Sequence, residues 1–127
     1  MTVDLQHDGL VAIVTLDRPE RRNAVDHATL LELLDIQAAI GARTPGAIRA
    51  VVLTGKSPAF SAGADLTGVE EGQFATDLGS VLRGFGTLPV PVIAAIAGPA
   101  LGAGAQLAIA TDLRVATPDS VLGVPAA

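Results

Sequence analysis

The sequence contains no cysteine, no tryptophan and no tyrosine, and only three phenylalanines among 127 residues. Without cysteine there is no disulfide framework and no thiolate chemistry, which fits a reducing cytosol. With so few rings, a core drawn from a composition that is 50% apolar must be filled by Val, Ile, Leu and Ala, and the abundance of Ala and Gly implies close backbone packing. Positive charge is also scarce. Eight Lys and Arg against thirteen Asp and Glu give a formal charge of -5, and the cations are scattered singly. No basic stripe exists to follow a phosphate backbone, so nucleic acid is not expected as a partner. His7 and His27 stand alone without ligand spacing and read as surface histidines; no metal is expected.

The opening MTVDLQHDG is acidic and too short in apolar length for a signal or transit peptide, which points to the cytoplasm. The one long apolar stretch, residues 92–110, carries Gly98-Pro99 and Gln106 and lacks interfacial aromatics and flanking cations. It reads as strand, turn and helix, not as a membrane span. At this length one hydrophobic core is expected, burying roughly two-thirds of the unfolded surface.

Residues 3–7 and 10–16 are β-type runs around Asp8-Gly9, a two-residue hairpin signal. A polar loop with Pro19 follows, and Asp26 caps a helix to about Gly41 whose apolar stripe is expected to be Leu30, Leu31, Leu34, Ala38 and Ile40. Residues 50–53 are continuously apolar and β-branched, the pattern of a strand buried on both faces at the sheet centre. Residues 55–66 form a long loop, residues 68–72 are polar and expected to be mobile, and a helix is expected over 74–85, ended by Leu88-Pro89-Val90-Pro91. Then come a strand at 92–96, a Gly98-Pro99 turn, a helix over 102–110, a strand at 113–116 and a short strand at 121–123. This strand, strand, helix order predicts an α/β arrangement of repeated ββα units, with helices outside a layer of buried strands. The sequence stops directly after a strand, an unusual place for a domain to close.

Two segments carry the chemistry. In Phe60-Ser61-Ala62-Gly63-Ala64-Asp65-Leu66, Gly63 permits positive φ and small neighbours let a ligand approach free backbone N–H groups; an ordinary turn is the alternative. In Gly98-Pro99-Ala100-Leu101-Gly102-Ala103-Gly104-Ala105-Gln106-Leu107-Ala108, a turn runs into a helix N-terminus, where unpaired N–H groups favour developing negative charge. Tight helix packing would select the same small residues. Two donors aimed at one thioester oxygen would stabilise an enolate, and losing one such donor typically costs about 3 kcal/mol.

Two other patterns are weaker. Ala50-Val51-Val52-Leu53-Thr54-Gly55-Lys56-Ser57 satisfies a permissive P-loop pattern, but its spacer reads as a strand and Pro58 follows. Gly102-Ala103-Gly104 begins like a dinucleotide fingerprint, but Leu107 occupies the third glycine position.

Arg18-Pro19 with Asn23-Ala24, Val52-Leu53-Thr54-Gly55, the 60–66 segment, Pro91-Val92-Ile93-Ala94-Ala95-Ile96, Ala100-Leu101-Gly102-Ala103-Gly104 and Asp112-Leu113-Arg114-Val115-Ala116 occur together and in order. In this the chain resembles the crotonase superfamily, the enoyl-CoA hydratase/isomerase family, and residues 1–127 would be the N-terminal portion of a crotonase-like (ClpP/crotonase) domain whose C-terminal portion is absent. The resemblance implies acyl-CoA as ligand or substrate, a coenzyme A thioester with no permanently bound cofactor, and homotrimers or hexamers for the full-length protein. It implies oxyanion N–H groups on Ala64 and Ala103. Ala62, Gly63, Asp65, Leu66 and Thr67, with Gly102, would line the coenzyme path. The Arg22-Asn23-Ala24 loop would border it, with Arg22 as a phosphate contact or a solvated surface arginine.

At the two positions where family hydratases carry catalytic glutamates, this sequence has Gln106 and Ala126. Gln106 can orient water but has no useful pKa for proton transfer, and Ala126 can do neither. Asp65 is a nearby carboxylate whose position in the family is mainly structural. The sequence therefore favours acyl-CoA binding without ordinary hydratase activity. A lyase, hydratase or isomerase of acyl-CoA metabolism that uses carboxylates elsewhere stays open.

Overall fold

The computed structural model describes residues 1–124, so the position of Ala126 lies outside the described residues. Strands β1 (Val3–Asp8) and β2 (Val11–Leu16) form an antiparallel hairpin. Asp8 pairs with Val11, so the turn residues are Gly9-Leu10 and not Asp8-Gly9; Gly9 takes φ 58°, which a glycine adopts without cost. Helix α1 (His27–Gly41) leads to β3 (Ala50–Gly55), α2 (Glu71–Thr87), β4 (Val92–Ile96), β5 (Pro99–Leu101), α3 (Ala103–Ile109), β6 (Leu113–Ala116) and β7 (Val121–Gly123). The five-stranded sheet has the order β1-β2-β3-β4-β6, parallel from β2 onward, and β5 and β7 make a separate parallel pair. The repeat is thus imperfect, because β3 is followed by a helix without a second strand.

Register explains the core. Ala12, Val51 and Val92 stand side by side, as do Val14, Leu53 and Ala94, and all six are fully buried. The other face carries Ile13, Val52 and Ile93, which are only half-buried, so β3 is central as expected but is completely covered on one face alone. Helices α1 and α2 pack on each other, with Leu30, Leu33, Phe74, Val81 and Phe85 in the core.

The expected α1 stripe is corrected by the structure. Leu31 is 45% exposed and Ala38 is exposed, while Leu30, Leu33, Gln37 and Ile40 face inward. That set follows helical periodicity with a polar residue in it. Gln37 is tolerated there because its Nε2 donates to the Val81 carbonyl at 2.8 Å. Helix α2 begins earlier than expected, because the Glu70 carboxylate accepts the N–H groups of Gly72 and Gln73 and caps the first turn. The Gly98-Pro99 turn leads directly into β5.

Candidate functional site

The 60–65 segment is built from both sides. Ser61 forms a parallel bridge to Ala100: its N–H donates to Pro99 O at 3.2 Å and its carbonyl accepts from Leu101 N–H at 2.9 Å. Three residues on, Ala64 is bridged by Val25, whose N–H donates to Gly63 O at 2.7 Å and whose carbonyl accepts from Asp65 N–H at 2.8 Å. Val25 thereby uses the groups before and after Ala64, and strand alternation turns Ala64's own N–H to the opposite side. Ala62 N–H donates to Arg22 O at 2.9 Å. Within the described residues, the Ala64 N–H finds no acceptor.

The second segment lies against the first. Gly102 takes φ 54°, and a Cβ placed on it would lie 3.8 Å from the Gly63 Cα. Its N–H donates to Gly123 O at 2.9 Å, and its carbonyl accepts from Gln106 N–H at 3.0 Å. Ala103 is the first residue of α3, and its N–H likewise has no acceptor within the described residues. Two unpartnered backbone donors therefore sit on adjacent segments, next to Gly63 and Gly102. Such donors can hold a polarised or anionic oxygen.

The other residues marked from the sequence divide. Ala62 is half-buried and Gly63 buried, whereas Ala64, Leu66 and Thr67 are exposed. Arg22 is exposed at φ 52°, and its guanidinium makes no hydrogen bond or ion pair within the described residues. Asn23 is only 2% exposed and faces inward: Oδ1 accepts from Arg18 N–H at 2.8 Å, and Nδ2 donates to Lys56 O and Ala59 O, each at 2.7 Å. Its amide is committed to bracing two loops. The Ala24 carbonyl accepts from Arg18 Nη1 at 2.8 Å. Gln106 is exposed and stands three residues after Ala103, so the two share a helix face.

Asp65 is held as an anion. The Thr67 backbone N–H donates to it at 3.0 Å, and Arg18 lies 3.4 Å away; hydrogen bonding to Thr67 first, and then Arg18, keeps its carboxyl below the ordinary range against the opposing effect of burial. A carboxylate so engaged is a poor base.

In the sequence Arg18 stands only within the Arg18-Pro19 pair, and its contacts with Ala24, Asp26 and Asp65 are not legible there. Its one signal is a cation beside proline in a chain poor in cations. His27, expected as a free surface residue, binds Asp77 Oδ2 through Nε2 at 2.6 Å and links α1 to α2. The 50–57 stretch is strand β3 and its exit, and the next helix starts only at Glu71, so no helix N-terminus stands where a P-loop needs one. A cleft of about 350 Å³ lined by Ile40, Arg43, Pro45, Ile48 and Val90 lies at the ends of α1 and α2, away from Ala64 and Ala103. Among the described residues no three His, Asp or Glu gather in a metal-binding group, and no helix is long and apolar enough to cross a membrane.

The sequence matches the profile of a family described as enoyl-CoA hydratase/isomerase over residues 6–127. The protein named "Probable enoyl-CoA hydratase echA6" of Mycobacterium tuberculosis is 44% identical over 119 residues, covering 91% of this chain and 46% of the relative. Among solved structures, an enoyl-CoA hydratase/isomerase from Xanthobacter autotrophicus Py2 aligns with a TM-score of 0.89 and 32% identity, covering 98% of this chain and 49% of that one. An enoyl-CoA hydratase from Bacillus anthracis aligns with a TM-score of 0.87 and 33% identity, covering 98% and 50%. The chain spans about half the length of the curated relatives it matches.

Proposed function

Because this chain belongs to the enoyl-CoA hydratase/isomerase family, we propose that it holds an acyl-coenzyme A thioester with the carbonyl oxygen on the N–H groups of Ala64 and Ala103. The crotonase-type fold expected from the motifs is the fold observed. The observation that carries the proposal is the pair of amides without acceptors among the described residues, on two segments locked together through Ser61 and Ala100. Each bound donor withdraws charge from the thioester carbon and stabilises an enolate.

In this reading the backbone of Ala62, Gly63, Asp65 and Gly102 borders the coenzyme, Leu66 and Thr67 lie along its exposed path, and the Arg22 guanidinium meets a phosphate. Asn23 and Ala24 support the loop from behind through the contacts already described. The full-length protein would bind its ligand reversibly as a trimer or hexamer.

Gln106 occupies a position where family hydratases carry a glutamate, and a carboxamide neither takes nor gives a proton near neutral pH. Hydration of an enoyl thioester needs a base for the attacking water and an acid for the α-carbon. Binding without ordinary hydratase turnover follows. A second reading, an active lyase, hydratase or isomerase that draws on carboxylates elsewhere in the full-length protein, is favoured by the family itself and by the names of the relatives.

Incubating the full-length protein with crotonyl-CoA and following loss of the conjugated thioester separates the two. Turnover of roughly 1 to 1000 per second would select the second reading. Calorimetric titration with acyl-CoA of several chain lengths tests binding itself, and no heat with any of them overturns both.

A further inference from the structure

We infer that Arg18 is a positioning residue for this site, fixing the direction of the Ala64 N–H from the far side of its ladder. The inference rests on the thioester reading above. Arg18 leaves the loop after β2 and is 15% exposed. Its Nη1 reaches Ala24 O at 2.8 Å and Asp26 Oδ2 at 3.3 Å, and its Nη2 reaches Asp65 Oδ2 at 3.4 Å. Ala24 and Asp26 flank Val25, and Asp65 follows Ala64. One guanidinium thus clips together the two short segments that bridge at Val25 and Ala64.

Among the described residues, that bridge has two backbone hydrogen bonds of its own. One of them, from Val25 N–H to Gly63 O at 2.7 Å, holds the peptide plane that carries the Ala64 N–H, and the charge-assisted contacts of Arg18 at Ala24, Asp26 and Asp65 keep Val25 and its partner segment aligned to make that bond. Arg18 is itself fixed at the backbone, where its N–H donates to Asn23 Oδ1. A planar fork can meet three acceptors spread over two segments, whereas a lysine ammonium is a point charge on a flexible stem. Asp65 is in turn kept anionic by Thr67 and Arg18, so the clip holds its charge through neutral pH.

The test compares two ligands that differ only at the oxygen the site would hold: butyryl-CoA, a thioester, and S-butyl-CoA, in which a methylene replaces the carbonyl. In the wild-type full-length protein the thioester should bind about five- to thirtyfold tighter, the span of one or two net hydrogen bonds. In Arg18→Gln the ratio should fall toward one while S-butyl-CoA affinity and cooperative melting persist, and Arg18→Lys should restore part of it. A purely structural role would weaken both ligands together and leave the ratio unchanged; that result overturns the inference. If Arg18→Gln does not fold, Asp65→Asn removes one arm of the clip, and an unchanged ratio there overturns it equally. A wild-type ratio of one, or no binding of either ligand, defeats the thioester reading itself and is told apart by needing no variant.

Discussion

Gly104 approaches Ser61 so closely that no side chain fits between them: a Cβ on Gly104 would overlap the Ser61 carbonyl oxygen and lie 2.7 Å from the Ser61 Cβ. The contact holds α3 against the 60–65 segment. Gly104→Ala should therefore destabilise the fold by about 1–3 kcal/mol, as overpacking does. Gly86, near the end of α2, is the control: a methyl group there would meet nothing within 4 Å, and Gly86→Ala should stabilise by about 0.5 kcal/mol. Urea unfolding of both variants checks the contrast.

Gln37 is expected to matter more than its polarity suggests. It is 7% exposed, its amide holds Val81 O, and its carboxamide fills the space beside Gly84. Gln37→Ala removes the bond and leaves a void between α1 and α2, costing about 2 kcal/mol. Thermal melting of the variant measures it, and a shift within error would show that the two helices close over the gap.

The acid limb of stability should report Asp77. Hydrogen bonds from Gln73 and then from His27 lower its pKa from the ordinary value of 3.8, with burial opposing. A depressed carboxylate stabilises the fold above its unfolded pKa, and that contribution is lost as pH falls through the folded value. The loss belongs below pH about 4. Asp77→Asn should narrow the difference between melting temperatures at pH 6 and pH 3, and an unchanged difference would remove Asp77 from the acid response.

A polypeptide of these 127 residues is expected to self-associate. Six of the ten exposed large hydrophobics among the described residues fall between Ile109 and Val124, and Leu113 and Val115 on β6 are 60% and 64% exposed. β6 pairs only with β4 among the described residues, so it also presents an unpaired edge. Light scattering across a concentration series should show association, reduced in Leu113→Lys with Val115→Glu.

The order of elements along the chain, the hairpin and the three helices were legible because each rests on local periodicity and punctuation, whereas the strand order within the sheet depends on non-local pairing. Asp26 could be read as a cap from sequence, and its Oδ1 does accept Thr29 N–H at 2.8 Å. Glu70 could not, since its capping role depends on where the preceding loop delivers it. Gln37 hid the α1 stripe because hydrophobicity alone cannot reveal a buried amide whose partner lies on another helix. Ala64 and Ala103 were reached through resemblance, since nothing in an alanine's identity says that its amide lacks an acceptor. The bracing role of Asn23 was out of reach for the same reason: its three partners lie in the loops after β2 and β3.

The alternation that frees the Ala64 amide has an evolutionary and practical consequence. Because Val25 takes up both neighbours of Ala64, the free donor is defined by the phase of the backbone, and phase survives exchange of side chains but not a change in residue count. One residue inserted or deleted between Ser61 and Ala64 would present a different amide and withdraw this one. An alanine scan passes silently over two positions that are already alanine, so single-residue indels are the mutations to which this site is most exposed.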